Sequence, residues 1–391
     1  MIYLDNNATT KMDDQVFNAM IPFLKEDYGN ASSLHHKMGR KAHQAIEDSR
    51  QSIANFLGVQ PQEIFFTSGA TEAINLVLRG VFERYQSIGK HIITVKSEHK
   101  AVLSTLESLT KKGAHITYLP LNDQGVIDPL ELQRSIRQDT ILVCTMLANN
   151  ETGVIQPLEE ISRITSENNI LLFSDTTQAI GKLEFNVQQL GIDIGCFSAH
   201  KFHGPKGIGG LYIKKRSNRP IQIEAQITGG KQESSLRAGT YNTASIVGMR
   251  QAFEIIDFKN NTSIKQLRDY LEQKLIAEIP DSYIHASKAQ RLDNTTNIVF
   301  KHVKSVQLMN RLHQVALSSG SACVSGDRDP SHVLLAMGVK AEDALCSIRF
   351  SLSKYNNQQE IDELIVQIKS AVAQLREQSP IWQMYKAGLI E

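Results

Sequence analysis

Strand and helix patterns alternate through most of the first 250 residues, and this alternation constrains the fold more than any other feature of the chain. Short apolar runs typical of buried strands lie at His91–Val95, Ala114–Leu119, Ile141–Leu147 and Ile170–Phe173. Helical periodicity fills most of the intervals between these runs. Residues 38–57, which precede the first of them, are also predicted to form a helix that ends at Gly58. Such alternation predicts a largely parallel sheet that is covered by helices on both faces.

The rest of the chain predicts a second and smaller unit, since 391 residues exceed one typical hydrophobic core. One long helix, about Thr243–Ile279, is expected to lead out of the first unit. Strands near Asn297–Phe300 and Ser347–Ser351 follow, with a final helix over about Gln358–Arg376. This pattern is typical of a small α+β domain.

The charge of the chain is balanced, with 42 basic and 41 acidic residues and a net charge of +1. This balance gives no electrostatic reason to expect a nucleic-acid or membrane-surface partner. The opening residues, MIYLDNNATT, lack the basic and apolar regions of a secretory signal, and no apolar stretch is long enough to span a bilayer. We therefore expect a cytoplasmic protein.

Four cysteines are scattered along the chain without a Cys-x-x-Cys pair, which argues against a disulfide framework and a zinc site. Cys144, Cys196 and Cys346 lie in apolar runs, so they are predicted to be small buried core residues. No metal site is expected. Cys323 has a different setting, described below.

A lysine, Lys201, directly follows the strand-like run that ends in Phe197-Ser198 and precedes the glycine-rich stretch Gly204–Gly210. Lysine rarely lies at the end of a buried strand. Loss of water there would lower its pKa and suit the amine to Schiff-base chemistry. The alternative is a solvated lysine in a flexible hairpin.

Asp175 ends a second apolar strand, and Gln178 follows three residues later. A carboxylate in such a position could keep a pyridine nitrogen protonated, so that the ring acts as an electron sink. The amide of Gln178 could donate to a phenolic oxygen on the same ring. The alternative for Asp175 is an ordinary helix N-cap.

Two further strand ends carry polar groups. Ser68-Gly69-Ala70-Thr71 joins a strand to a helix, where free N–H groups and the helix dipole favour a phosphate. An ordinary capped helix would look similar. His99 follows another strand and could stack on a planar ring or transfer protons, although a lone histidine is often structural.

Taken in order, a set of short segments carries a family resemblance. The set is Asn7–Thr10, Gly29–Asn30, Thr67–Glu72, Ser97–His99, Ala148–Gly153, Asp175–Gln178, Ser198–Lys201 and Arg237–Thr240. It resembles the NifS/IscS-type cysteine desulfurases of the class-V aminotransferase family over about residues 2–385. The resemblance implies fold type I of the pyridoxal 5′-phosphate enzymes. A large domain, residues 13–255, would hold a mainly parallel seven-stranded sheet between helices, and residues 1–12 with 256–391 would form the small domain.

The resemblance also implies roles for individual residues. Lys201 matches the Schiff-base lysine, Asp175 the partner of the ring nitrogen, His99 the acid/base group stacked on the ring, and Gln178 the donor to the phenolic oxygen. Further cofactor contacts are implied for Ala70, Thr71, Asn150, Ser198, His200 and, from a second subunit, Thr240. The substrate carboxylate would be held by Asn30, Asn150 and Arg349. Arginine binds a carboxylate with two prongs, although an ion pair within the protein is the alternative for Arg349.

Cys323 lies in SSGSACVSGDRDP, a stretch of small residues, glycine and proline that predicts a mobile exposed loop over about residues 318–332. An exposed thiol there could attack and then swing away, whereas the alternative is an incidental surface cysteine. The loop resembles the long catalytic loop of the housekeeping branch of the family. That resemblance implies that Cys323 receives the sulfur of L-cysteine as a persulfide, leaving L-alanine. The freed Lys201 amine would remove the α-proton, and His99 is one candidate acceptor of the Cys323 proton.

Other functions stay open at this point. A selenocysteine lyase or another carbon–sulfur lyase of the same fold would use many of the same residues, and a non-catalytic scaffold would keep only the fold. The expected partners are a second copy of the chain and a sulfur-acceptor protein, such as an iron–sulfur scaffold or a thiolation enzyme. The chain ends at Glu391, before the tail with which housekeeping relatives dock their scaffold. His203 stands where the family commonly has an aromatic residue.

Overall fold

The computed structural model describes residues 1–216, 220–319 and 329–389. Residues 217–219, 320–328 and 390–391 lie outside that description, and Cys323, the predicted sulfur acceptor, is among them.

The strands of the described chain are short and mostly buried. They are Ile2–Tyr3 (β1), Ile64–Thr67 (β2), His91–Val95 (β3), His115–Leu119 (β4), Thr140–Cys144 (β5), Leu171–Asp175 (β6), Ile194–Ser198 (β7), Gly209–Ile213 (β8), Ser282–Ile284 (β9), Thr295–Phe300 (β10), Val315–Ala316 (β11) and Ser347–Ser351 (β12). Their apolar runs agree with the predicted strands to within a few residues.

The helices lie between these strands for most of the chain. They are Asp14–Lys25 (α1), Lys37–Leu57 (α2), Ala70–Tyr85 (α3), Lys100–Thr110 (α4), Pro129–Ser135 (α5), Leu158–Glu167 (α6), Thr243–Glu254 (α7), Lys259–Glu278 (α8), Ser305–Arg311 (α9), His332–Ala336 (α10), Ala341–Leu345 (α11), Gln358–Glu377 (α12) and Pro380–Lys386 (α13). Among these described helices, none combines the length and the apolar character needed to cross a membrane.

The large sheet has seven strands in the order β2-β8-β7-β6-β5-β3-β4. Strand β8 is antiparallel to both of its neighbours, and the other strand pairs are parallel. Six strands therefore run in one direction, and their carboxyl ends lie along one edge of the sheet. This architecture confirms the predicted α/β fold, and that edge is where ligands bind in open parallel sheets.

Alternate residues of the central strands pack into two different cores. Ile93 and Val143 face a cluster that includes α2 and α7, whereas Ile92 and Leu142 face a cluster that includes α3 and α4. Because both faces are covered, these strands read as continuous apolar runs without polar alternation. The same burial fixes where each strand ends, and so where the polar residues after it emerge.

A separate core, distinct from the two on the faces of the large sheet, surrounds a three-stranded antiparallel sheet in the order β12-β10-β9. Helices α8 and α12 contribute Leu271, Leu364 and Ile368 to this core, and the first residues of the chain contribute Ile2 and Leu4. Strand β1 pairs in parallel with β11 beside it. The N-terminal segment thus belongs with the C-terminal part of the chain, while the proposed domain boundaries stay a prediction.

Two predicted helices differ from the structure. The continuous helix expected over about Thr243–Ile279 is two helices, α7 and α8, separated by residues 255–258. The Asp257 side chain accepts a hydrogen bond from the Lys259 backbone N–H (3.0 Å), an Asx-type turn that starts a new helix. The helix expected to be the last, α12, is followed by α13, which begins after the N-cap Ser379.

Candidate active site

A cavity of about 690 Å³ opens at the carboxyl edge of the large sheet. Most of the predicted site residues line it, although they come from distant parts of the chain. These residues are Ala70, Thr71, His99, Asn150, Asp175, Gln178, Ser198, His200, Lys201 and Arg349. Its size is in the range of cavities that bind cofactors and small molecules.

Lys201 ends a short 3₁₀ turn, Ala199–Lys201, that directly follows β7. Its Nζ donates to the backbone oxygens of Asn7 and Ala8, each at 2.7 Å. Burial, with a smaller contribution from Arg349, lowers the pKa of Lys201 to about 8, while Asp175 and Asp5 oppose the shift. A solvated loop lysine would not have these properties, and an amine with this pKa is nucleophilic near neutral pH.

Asp175 is the last residue of β6 and is 7% exposed. One carboxylate oxygen, Oδ1, accepts from the Thr177 backbone N–H at 2.9 Å and from Cys196 Sγ at 3.5 Å. No α-helix starts here in the described chain, since turns follow as far as residue 183. The N-cap interpretation therefore does not apply, and the carboxylate faces a cavity that also contains Lys201.

The amino end of α3 supplies an anion site on one side of the cavity. Helix α3 starts at Ala70, so its first N–H groups have no partner within the helix. Gly69 precedes it with a φ of +150°, and a Cβ on Gly209 would lie 2.7 Å from the Gly69 Cα. Backbone, not side chain, therefore forms this corner, which is the arrangement that favours a phosphate.

Glu72 and His200 complete the surroundings of that corner. Burial alone would raise the pKa of Glu72, but hydrogen bonds from Arg237 and Ser68 lower it. Arg237 pairs with Glu72 at 2.8 Å, so its charge is already matched. Burial lowers the pKa of His200 to about 4, and its Nδ1 lies 3.1 Å from Thr9 Oγ1. His200 is therefore neutral and can donate one N–H to an anion.

His99 follows β3 and serves as the N-cap of α4, because its Nδ1 accepts from the Ala101 backbone N–H at 3.1 Å. The neutral ring therefore carries its proton on Nε2. Its side chain is accessible from the cavity, yet partial burial lowers its pKa, an effect that Asp175 opposes. Capping uses only one ring nitrogen, so it leaves Nε2 available to a ligand in the cavity.

Arg349, a 4% exposed residue in the middle of β12, also lines the cavity. Its Nη2 bonds Asp5 Oδ1 at 2.6 Å, and its Nη1 donates to the Asn150 backbone oxygen at 3.0 Å. Nε has no partner in the described chain. A buried, unsatisfied donor beside a cavity is a suitable partner for a carboxylate ligand.

Two groups of lining residues differ in how the chain brings them together. One group lies at the ends of strands or shortly after them, and we call it the strand-end wall. It consists of His99, Asp175, Gln178, Ser198 and Lys201. Asp5, Asn7, Asn150 and Arg349 come from segments far apart in sequence, and we call them the composite wall. Both line the same cavity.

Two of the predicted residues that the structure describes, Asn30 and Thr240, do not line the cavity. Asn30 is exposed, and its Oδ1 accepts from the Ser32 backbone N–H at 2.9 Å. Thr240 is exposed and lines a neighbouring cavity of about 170 Å³ that shares Ser68 and Gly207 with the main one. Cys323 lies outside the described residues.

Other lining residues were not predicted from the sequence. Asp5 and Asn7 enter from the N-terminal segment, and His332 enters from the start of α10 with its Nε2 at 3.0 Å from the Glu98 backbone oxygen. The sequence offered one signal, the family-like segment Asn7–Thr10, which gave Asn7 no role; Asn7 and its neighbour Asn6 prove to be buried. Their positions depend on contacts with β10 and β12, which no local pattern indicates.

The remaining cysteines and His203 now have structural explanations. Cys144, Cys196 and Cys346 are free and buried, as predicted, and burial raises the pKa of each thiol. His203 has a φ of +68° and contacts two other segments of the chain. Its Nδ1 lies 2.9 Å from the Lys11 backbone oxygen, and its ring packs edge-on against Tyr355. It therefore still makes an aromatic contact.

Comparisons with known proteins agree with this architecture. Residues 2–364 match the family described as aminotransferase class-V. A protein named cysteine desulfurase IscS from Methylococcus capsulatus is 44% identical, covering 99% of this chain and 96% of the relative. A solved NifS-like protein superposes with a TM-score of 0.88 at 40% identity, covering 95% of this chain and 99% of that one. A structure titled SspA in complex with cysteine gives a TM-score of 0.81 at 32% identity, with 91% and 100% covered.

Proposed function

The chain belongs to the class-V aminotransferase family and is a cysteine desulfurase, and from this premise we propose that it uses pyridoxal 5′-phosphate, held by Lys201, to transfer the sulfur of L-cysteine to Cys323. The observation that carries the proposal is the convergence of Lys201, Asp175 and Arg349 on one cavity. An amine, a carboxylate and a guanidinium are the groups needed for the cofactor aldehyde, its ring nitrogen and the carboxylate of an amino acid.

The residues present fit this cofactor. Lys201 would bond to its aldehyde carbon, Asp175 would pair with its ring nitrogen, and His99 would lie against the ring. The backbone at Ala70-Thr71 at the start of α3, together with Ser198 and His200, would hold its phosphate. When bound, pyridoxal phosphate withdraws electrons from the α-carbon of the attached amino acid, which makes the α-proton acidic.

The protein's own groups would then handle the substrate. Arg349 would bind the L-cysteine carboxylate with two N–H groups, and Asn150 would lie beside it. Lys201, released from the cofactor, would remove the α-proton, because a pKa of about 8 leaves a useful fraction of free amine near neutral pH. These residues would thus hold the α-carbon of the substrate between the Lys201 amine, which acts as the base, and Arg349, which binds the carboxylate.

The sulfur step is a transfer to a thiolate. The Cys323 sulfur bonds to the substrate sulfur, and the substrate carbon–sulfur bond breaks. Counting atoms, L-cysteine and the Cys323 thiol give L-alanine and a Cys323 persulfide. The persulfide would pass to an acceptor protein, such as an iron–sulfur scaffold or a thiolation enzyme. We propose that this takes place in the cytoplasm.

A homodimer is the second part of the proposal. Thr240 is exposed and lies outside the main cavity of its own chain, while its segment matches a phosphate-contacting segment of the family. These facts support a contribution of Thr240 to the site of a second copy. Light scattering of the purified protein measures this directly, and a fully active monomer would contradict it.

The experiment that tests the sulfur transfer is mass spectrometry after one turnover without reductant. A gain of one sulfur, ~32 Da, on the Cys323 peptide supports the proposal, in line with thiolate attack on sulfur. The Cys323→Ala variant should bind the cofactor and still change its spectrum with L-cysteine, but form no persulfide. Full turnover by that variant would indicate a lyase that needs no acceptor thiol, as in the selenocysteine lyase alternative. A colourless protein that takes up no cofactor would favour a scaffold.

A further inference from the structure

Lys182 lies four residues after Gln178, contacts it, and does not line the main cavity. Its Nζ donates to Gln178 Oε1 at 2.5 Å and to Asn7 Oδ1 at 3.1 Å. Gln178 and Asn7 line the main cavity, whereas Lys182 lines a separate small cavity of about 60 Å³ together with Lys354. Lys182 therefore contacts two residues of the site without lining the site itself.

Each of the two amides has a backbone oxygen as one partner and Lys182 as another. Gln178 Nε2 donates to the Asn7 backbone oxygen at 2.9 Å, and Asn7 Nδ2 donates to the Asn150 backbone oxygen at 3.1 Å. A carbonyl oxygen can only accept, so each amide must turn its nitrogen toward it. Both amide oxygens then accept from the Lys182 amine. Asn7 Oδ1 also accepts from Asn294 Nδ2 at 3.1 Å, so Gln178 Oε1 depends on Lys182 more than Asn7 Oδ1 does.

This small network reaches Lys201. The Asn7 backbone oxygen accepts from Gln178 Nε2 and also from Lys201 Nζ at 2.7 Å. Gln178 is only 6% exposed, so its amide oxygen would have no water to replace Lys182. An unsatisfied buried acceptor is costly, and the side chain would rotate to avoid it.

We propose that Lys182 is a positioning residue that holds the amide nitrogen of Gln178 toward the cavity, where its second N–H donates to an anionic oxygen of the bound cofactor. The inference rests on the proposed function and on the role that the family resemblance implies for Gln178, that of a donor to the phenolic oxygen of pyridoxal phosphate. Lys182 touches neither cofactor nor substrate and acts only through Gln178 and Asn7.

The protonation state of Lys182 does not alter this role. Burial, followed by the charges of Lys201 and Arg349, lowers its pKa well below the usual lysine value. The charged form has three hydrogens on nitrogen and the neutral form has two, so either form can donate to both amide oxygens.

The test compares Lys182→Met with a matched control, Lys354→Met. Lys354 lines the same small cavity but pairs with Asp13 at 2.6 Å and has no bond to Gln178. Lys182→Met should weaken cofactor binding about tenfold, the usual effect of losing one hydrogen bond to a charged group. It should also shift the pH midpoint of the cofactor's visible band in the same direction as Gln178→Ala. Lys354→Met should change neither value.

Two further measurements separate positioning from general damage. Adding Lys182→Met to Gln178→Ala should cause no further shift of the band, because the effect passes through Gln178. In cofactor-free protein labelled with ¹⁵N-glutamine, the side-chain signals of Gln178 should move in Lys182→Met and stay in place in Lys354→Met. Lys182→Arg, which keeps N–H donors, should restore most of the wild-type midpoint and gives a second variant if Lys182→Met does not fold.

Unchanged Gln178 signals in Lys182→Met, or fully additive shifts in the double variant, would overturn the inference. Failure of the proposed function would look different. In that case the wild-type protein itself would form no visible band with pyridoxal phosphate, while the Gln178 signals of the cofactor-free protein would still report on Lys182.

Discussion

The two walls of the cavity are held in place by different forces. The strand-end wall depends on buried strands: Asp175 and Ser198 are the last residues of β6 and β7, and apolar residues on both faces fix those strands. The composite wall depends on polar bonds between distant segments, such as Arg349 with Asp5 and Asn7 with Thr295. Packing of the large sheet thus positions one wall, whereas the other joins Arg349, on the buried strand β12, to distant segments through a few directional bonds.

This difference suggests a division of work. Side chains on a packed sheet keep their geometry when one polar group is removed, so substitutions in the strand-end wall should remove chemistry while leaving the fold intact. The composite wall has fewer supports, and its polar groups bind one another as well as the ligand. Substitutions there should loosen substrate binding more than they slow the chemical step.

The largest effect is expected from Lys201→Ala in the strand-end wall. Without the amine, proton removal should fall by roughly 10²–10⁴-fold or more in kcat, while cofactor is still bound noncovalently. Borohydride reduction followed by peptide mapping should find no cofactor attached to the chain. Attachment to another lysine would show that the assignment of Lys201 is wrong.

Arg349→Ala should act mainly on binding. We expect kcat/KM for L-cysteine to fall roughly 10–150-fold, the equivalent of about 1.5–3 kcal/mol for a charged hydrogen-bonded contact, with most of the change in KM. Arg349→Lys should be intermediate, because it keeps the charge without the two-pronged geometry. Steady-state kinetics measures both.

Asp5→Asn is the control for Arg349, since it weakens the ion pair of 2.6 Å but leaves the guanidinium in place. It should change KM much less than Arg349→Ala does. Equal losses in the two variants would mean that wall packing, not a direct bond to substrate, explains the effect. A loss confined to kcat would break the proposed division between the walls.

The pH dependence of cofactor attachment should be smaller but specific. Burial places the pKa of Lys201 at about 8, below its ordinary value of 10.5. Only the unprotonated amine reacts, so attachment to cofactor-free protein should accelerate about tenfold per pH unit below that pKa and level off above it. Stopped-flow absorbance from pH 6 to pH 10 measures this. A rate that keeps rising to pH 10 would indicate a solvated lysine.

The smallest effects are expected from Cys144→Ala, Cys196→Ala and Cys346→Ala. Cys144 is the last residue of β5, and Cys196 lies in β7. Cys346 directly precedes β12, the strand that contains Arg349. Each loss leaves a small cavity that costs about 1 kcal/mol of unfolding free energy, while turnover stays within about twofold of wild type. Denaturant unfolding and persulfide formation test both statements. Loss of the persulfide in any of them would challenge the role of Cys323.

The walls also differ in how well sequence predicts them. His99, Asp175 and Lys201 were predicted because a polar residue after an apolar strand is a local signal that a parallel sheet then gathers at one edge. Asp5 and Asn7 were given no role because their positions depend on contacts between distant residues, as in the Asn7 bond to Thr295. Lys182 was missed although it lies only four residues from Gln178, because a lysine within a turn carries no local signal of what it contacts. The break between α7 and α8 was missed for a local reason, since Asp257 reads equally well as a polar residue within a continuous helix.

The pairing of Arg349 with Asp5 has a consequence for how the protein is made. The two residues are 344 positions apart, and Asn6 bonds to Ser351 over a similar interval. A ribosome adding about 5–20 residues per second needs on the order of 20–70 s to span that interval. Asp5 and Asn6 must therefore wait for β12, which follows all the other described strands in the chain. During that time a nascent chain can already contain the amine and the acid of the strand-end wall, but it has no substrate clamp.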